Sequence, residues 1–180
     1  MSKAISDLLN EHHAILSALQ ILAAMTGRLR EDRAVDENDM RDFISFLKEF
    51  ADKCHHGKEE GILFPALVTA GVPDQGGPIG VMLSEHAQGR ALIQQMEAAI
   101  AGAVDRTQFT RSAEAYASLL QDHIHKENTF LFPTAEQMLT EAQLAQIYDA
   151  FEEHEEKVIG QGRHEALHAM LNNLRKKYSA

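Results

Sequence analysis

Apolar residues recur over the first thirty positions at Ile5, Leu8, Ile15, Leu19 and Leu22. Spacings of three, four and seven line one face of a helix and predict one over 3–30. The polar run "REDRAVDEND" at 30–39 predicts a connection. Phe43, Phe46, Leu47 and Phe50 then mark a second helix, and the Gly- and Pro-rich "AGVPDQGGP" at 70–78 reads as a loop. A third helix carries Ile79, Met82, His86, Ile93 and Met96, and the chain turns around "GAVDRT". A fourth carries Phe109, Tyr116, Leu119, Leu120 and His123. Thr140 with Gln143 forms a capping-box pattern that opens a helix near 141–159. "GQG" at 160–162 breaks it, and a last helix runs to about 177. No segment alternates with period two. The pattern predicts an all-α chain: a four-helix bundle over about 3–135 and a C-terminal helical extension over about 140–177, one unit spanning 1–180.

Two phrases inside this pattern resemble each other, "HHGKEEGILFP" at 55–65 and "HIHKENTFLFP" at 123–133. Each holds a His, a Glu four residues later, and a Leu-Phe-Pro tail whose Pro is expected to end or kink its helix. A His and a Glu four apart share one helix face. Each phrase also follows a helix with a His in its apolar stripe, His12 before the first and His86 before the second. His12 is preferred over His13 on periodicity. The first phrase fits both His55 with Glu59 and His56 with Glu60. Glu127 lies six before Pro133 and Glu59 six before Pro65, so the repeat selects His55 and Glu59. His56, Glu60 and His125 then fall on adjacent faces.

Two helical hairpins thus offer four His and two Glu. Imidazole with carboxylate suits iron, manganese, zinc or copper. Two six-coordinate ions take roughly twelve positions. Four imidazoles, two bridging carboxylates and a shared oxo or hydroxo group leave about two for water, dioxygen, nitric oxide or a further side chain. That describes a redox-active site with room for a small ligand, unlike a closed structural zinc site.

Composition narrows the classes. Ten His in 180 residues is a clear excess, and a formal charge of −10 disfavours a phosphate backbone as partner. The single Cys54 fits a reducing cytosol, and the N-terminus lacks the apolar run of a signal peptide. No apolar stretch reaches the length of a membrane span. The expected location is cytoplasmic.

Taken in order, "EHHAIL", "HHGKEEGILFP", "SEH" and "HIHKENTFLFP" resemble the motifs of the hemerythrin-like family, the HHE cation-binding proteins. "GGPIGVMLSEH" is also similar to a segment of the di-iron Ric proteins, which repair damaged iron–sulfur centres. The resemblance implies an up-and-down four-helix bundle with two iron ions. Its implied ligands are His12, His55, Glu59, His86, His123 and Glu127, with both Glu bridging. Oxygen-carrying hemerythrins have a fifth His and an Asp at the end of the fourth helix, where this chain has His-x-x-x-Glu. The expected function is therefore binding or reaction of dioxygen, nitric oxide or peroxide, as a sensor or stress-response protein, or alternatively Ric-like redox repair.

The C-terminal extension contains "HEALH" at 164–168, which matches the zinc-peptidase pattern. A third ligand is expected downstream, but the chain after His168 offers no His, Asp or Glu. His164 is instead a possible additional iron ligand, aimed inward by the Gly-rich break. His154 lies in an acidic run and is expected in solvent. Tyr116 shares the face of His123 as a possible hydrogen-bond donor near the site.

Overall fold

The computed structural model describes residues 1–160 and 162–178. Gln161, the middle of the "GQG" break, lies outside the described residues. Helix α1, Lys3–Arg30, starts where the Ser2 hydroxyl accepts from the Ile5 amide. Helix α2 follows one continuous path over 37–69, opened by Asp36 accepting from the Asn38 amide. Helix α3, Pro78–Ala99, has Pro at its first position, where a missing N–H costs nothing. Helix α4 runs over 106–138 from an Asp105 cap on Gln108. Helix α5, Glu141–Val158, opens with both bonds of the Thr140–Gln143 capping box. Helix α6, Arg163–Tyr178, follows Gly160 and Gly162, whose φ angles of +79° and +78° suit residues without Cβ.

Pro65 and Pro133 do not end their helices, which continue to Thr69 and Met138. Each Pro follows a widened turn with π-type hydrogen bonds. The amides of Phe64 and Phe132 bond to the carbonyls of Glu59 and Glu127, five residues back. That wider ring relieves the crowding an α-helical turn imposes on a following Pro. A longer π segment, Leu47–His56, lies upstream in α2 and bonds the Gly57 amide to the Asp52 carbonyl.

The first four helices form a bundle whose core is two apolar clusters. One joins Ile15, Leu19, Leu22, Phe46, Phe50, Ile93, Phe109 and Leu120. The other joins Leu8, Leu63, Phe64, Met82, Leu131 and Phe132. Helix α6 adds Leu167, Leu171 and Leu174 to the first, and α5 adds Leu144, Ile147 and Phe151 to the second. The clusters are separated along every bundle helix by polar residues. His12 lies between Leu8 and Ile15, His55 and Glu59 between Ala51 and Leu63, His86 between Met82 and Ile93, and Glu127 between Ile124 and Leu131.

Helix α6 is pinned at both ends. Arg163 donates to both carboxylate oxygens of Glu49, at 2.8 and 2.7 Å, and the Tyr178 hydroxyl accepts from the Asp36 amide at 3.3 Å. The Arg163 bonds lower the Glu49 pKa from 4.5 to about 2. A depressed carboxylate pKa stabilises the fold above the unfolded value, and that contribution is lost as pH falls toward the folded one. The stability difference between wild type and Arg163→Gln, measured by urea unfolding, should be constant above about pH 5 and shrink from pH 4.5 toward 2. A difference that stays level to pH 2 would show that this pair does not anchor α6.

Candidate metal centre

The polar layer between the clusters is buried. His12, His55, His56, Glu59, His86, His123 and Glu127 are each at most 3% exposed. Their ligating atoms form two groups, each within 4.8 Å: His12, His55, Glu59 and Glu127, and His56, Glu59, His86 and His123. Glu59 belongs to both, with its oxygens 3.7 Å from His55 Nε2 and 3.4 Å from His86 Nε2. Glu127 straddles them too, 3.1 Å from His12 Nε2 and 3.2 Å from His123 Nε2.

All six residues that the repeat and the resemblance single out meet in this layer, and His13 and His125 are exposed. His56 joins them, although α-helical spacing places it on an adjacent face. The reason is the π segment ending at His56, whose wider turn lets His55 and His56 both lean inward. The signal in the sequence was the unmatched doublet "HHGKEE". The His56 ring stacks on His86, centroids 3.9 Å apart.

His164 is not brought into the layer. Its ring stacks on Phe50 at 5.4 Å, and its Nδ1 lies 3.5 Å from Glu155. His168 packs against the same Phe50, and no group of three ligands forms around these two histidines among the described residues. Tyr116 is fully buried, and its hydroxyl has no hydrogen-bond partner among the described residues. His154 is not simply solvated. It contacts the Lys53 carbonyl at 3.0 Å and lies over Gly57, where a Cβ would come within 2.6 Å of its Nε2.

Outer oxygens orient the imidazoles. His12 Nδ1 lies 2.7 Å from Asn128, His55 Nδ1 2.8 Å from Glu11, His86 Nδ1 2.7 Å from Glu60, and His123 Nδ1 3.0 Å from Glu85. His56 Nδ1 makes a longer 3.5 Å approach to Asp52. An ionised carboxylate only accepts, so Nδ1 of His55, His86 and His123 carries a proton, which in a neutral ring leaves the Nε2 lone pair facing the centre. His86 Nε2 and His123 Nε2 approach each other at 3.1 Å. The outer acids are held in turn. Arg90 contacts Glu60 and Asp52, Lys126 contacts Glu85, and Lys58 contacts Glu11.

Among the described residues, buried Nε2 of His12 and His55 and all four oxygens of Glu59 and Glu127 have no hydrogen-bond partner. Lone pairs facing lone pairs in a buried layer are costly unless cations or other donors lie between them. Burial, then the neighbouring His12 and His86 charges, push His55 and His56 well below the ordinary histidine range. Burial, then the Glu127 charge, pushes Glu59 well above the carboxylate range. Burial also acts to raise Glu127, but His123 and His12 outweigh it and hold that carboxyl low. The donors are imidazole and carboxylate without thiolate, a set that fits iron and similar cations.

The sequence pattern of the hemerythrin HHE cation-binding domain matches residues 3–135. The chain belongs to the hemerythrin HHE family. An uncharacterised protein of Mycobacterium tuberculosis is 25% identical over 160 residues, covering 86% of this chain and 62% of the relative. Iron–sulfur cluster repair protein YtfE of Musicola paradisiaca is 29% identical over 134 residues, covering 70% of this chain and 60% of the relative. YtfE of Dickeya chrysanthemi is 29% identical over 141 residues, covering 73% and 62%. The chain thus spans less than two thirds of the length of these curated relatives. No solved structure matches. Helices α5 and α6 lie beyond the residues that match the family pattern.

If the widened turn sets the register, His56→Ala should weaken metal binding about tenfold or more, judged against the losses that even outer partners produce. Glu59→Ala, touching both groups, should weaken it further, while His13→Ala and His125→Ala leave it unchanged. Calorimetric titration with ferrous or cobaltous ion reads this, and a silent His56→Ala would restore the α-helical register.

Proposed function

We propose that this hemerythrin-family chain holds two iron ions in the polar layer and binds or reacts with a small ligand such as dioxygen, nitric oxide or peroxide. The observation that carries the reading is the pair of histidine–glutamate groups joined by Glu59 and Glu127. Iron held there supplies a redox-active centre with positions open to a small molecule. Five imidazoles and four carboxylate oxygens fall short of the roughly twelve positions of two octahedral ions. The chain's own residues do the rest. Glu11, Glu60, Glu85 and Asn128 keep the Nδ1 protons outward and the Nε2 lone pairs inward. The Leu, Ile and Phe residues of the two clusters exclude bulk water on either side. His12 and His86 come from different hairpins, so a shared centre joins the halves.

A Ric-like redox activity in repair of iron centres is the second reading, favoured by the two YtfE relatives. Reversible adducts with nitric oxide or peroxide in stopped-flow mixing indicate a binder or sensor, and turnover indicates an enzyme. The lone, buried Cys54 and the acidic surface favour a cytosolic site of action without nucleic-acid partners. No helix among the described residues is long and apolar enough to cross a membrane.

Anaerobically purified protein should contain about two irons per chain and change its near-ultraviolet spectrum when air is admitted. A ligand that binds the folded state adds stability by mass action. Removing iron should lower the melting temperature by about 5 °C or more, as one to a few kcal/mol would. His123→Ala should lower the loaded protein toward that value. One tight zinc per chain with no iron uptake, or an unchanged melting temperature on iron removal, would overturn the proposal.

A further inference from the structure

Lys58 lies between His56 and Glu59, yet its side chain turns out of the polar layer and is 0% exposed. Its ammonium donates to three carboxylates from two other helices: Asp7 at 2.9 Å and Glu11 at 2.8 Å on α1, and Glu155 at 3.0 Å on α5. Phe151, one turn before Glu155, places its ring 5.7 Å from the ammonium and seals it from solvent. Glu11, Cys54 and Glu155 come close enough to suggest an ion site of their own, but the Lys58 ammonium already supplies the positive charge there.

Glu11 is held at both oxygens. Oε1 accepts from Lys58 at 2.8 Å, and Oε2 faces His55 Nδ1 at 2.8 Å. Glu11 is 5% exposed, so these two partners replace most of the water a carboxylate would otherwise bind. Four imidazoles have outer partners within the bundle: Asn128, Asp52, Glu60 and Glu85. Among the described residues, only His55 has a partner that is tied, through Lys58, to a helix beyond the residues matching the family pattern.

We propose that Lys58 and Glu155 form a clasp by which the C-terminal helices position His55. Glu155 holds Lys58 over α1, Lys58 holds Glu11 in one rotamer, and Glu11 keeps the His55 proton on Nδ1 with Nε2 toward Glu59. Lys58, Glu11 and Glu155 are positioning residues, each acting through its neighbour. The clasp rests on reading the layer as a metal centre, but it makes a claim about His55 that does not need the metal.

The test compares wild type with Lys58→Met, Glu155→Gln and the exposed control Glu156→Gln. Long-range proton–nitrogen spectra of 15N-labelled, metal-free protein report the His55 tautomer. Wild type and Glu156→Gln should show a single Nδ1–H form, Lys58→Met a mixture, and Glu155→Gln a smaller shift in the same direction. Cobaltous ion titrated into the same proteins should bind the His12–His55 group about tenfold more weakly in Lys58→Met, as loss of outer-partner control does elsewhere, with the His86–His123 group unchanged. If Lys58→Met does not fold, Glu155→Gln decides by the same spectra. An unchanged tautomer with unchanged cobalt affinity would overturn the clasp. If wild type binds no cobalt, the metal-centre reading fails, and the tautomer spectra still decide the clasp.

Discussion

The structure depends on one constraint: seven side chains that need partners are turned toward each other away from bulk solvent. Apolar clusters above and below remove the solvent, and outer carboxylates and Asn128 fix which ring nitrogen faces inward. What remains at the centre is a set of aligned lone pairs on His12, His55, Glu59 and Glu127. Such a layer is costly unless cations lie between its lone pairs, and extensive apolar burial elsewhere offsets part of that cost. Burial also separates the behaviour of the two central glutamates. Glu59 is pushed toward its neutral form by burial and by Glu127, and Glu127 is drawn toward its charged form by His123 and His12.

Much of this was legible in the sequence. Helix positions followed from period and punctuation: the Gly- and Pro-rich loop gives way to α3 at Gly77, and the Thr140–Gln143 pattern opens α5. The six repeated residues could be named because the His-to-Glu spacing and the Leu-Phe-Pro tails recur. His56 and the continuation past Pro65 and Pro133 were not legible, for one shared reason. Both depend on π-type turns, and a reading that assumes 3.6 residues per turn cannot see a local change of pitch.

Long-range partners were also hidden. Nothing in the periodicity of α1 indicates that Glu11 meets Lys58 and His55, because the three residues lie on two different helices. A buried lysine is rare without ion partners, so Lys58 reads as a surface residue until α5 is in place. His154 misled for a similar reason: the acidic run around it suggests solvent, while the contact that holds it comes from α2. The C-terminal helices were visible as helices lying against the bundle, and each completes one of the two apolar clusters.

Gly57 has a consequence for how this chain can vary. Any side chain there would collide with the imidazole of His154, whose Nε2 lies 2.6 Å from the position of a Cβ. Positions 57 and 154 are therefore linked. A side chain at 57 requires the His154 imidazole to swing away and give up its contact with the Lys53 carbonyl, or a smaller residue at 154. In any set of relatives that keep α5 against α2, the identities at these two positions should be correlated even though almost a hundred residues separate them.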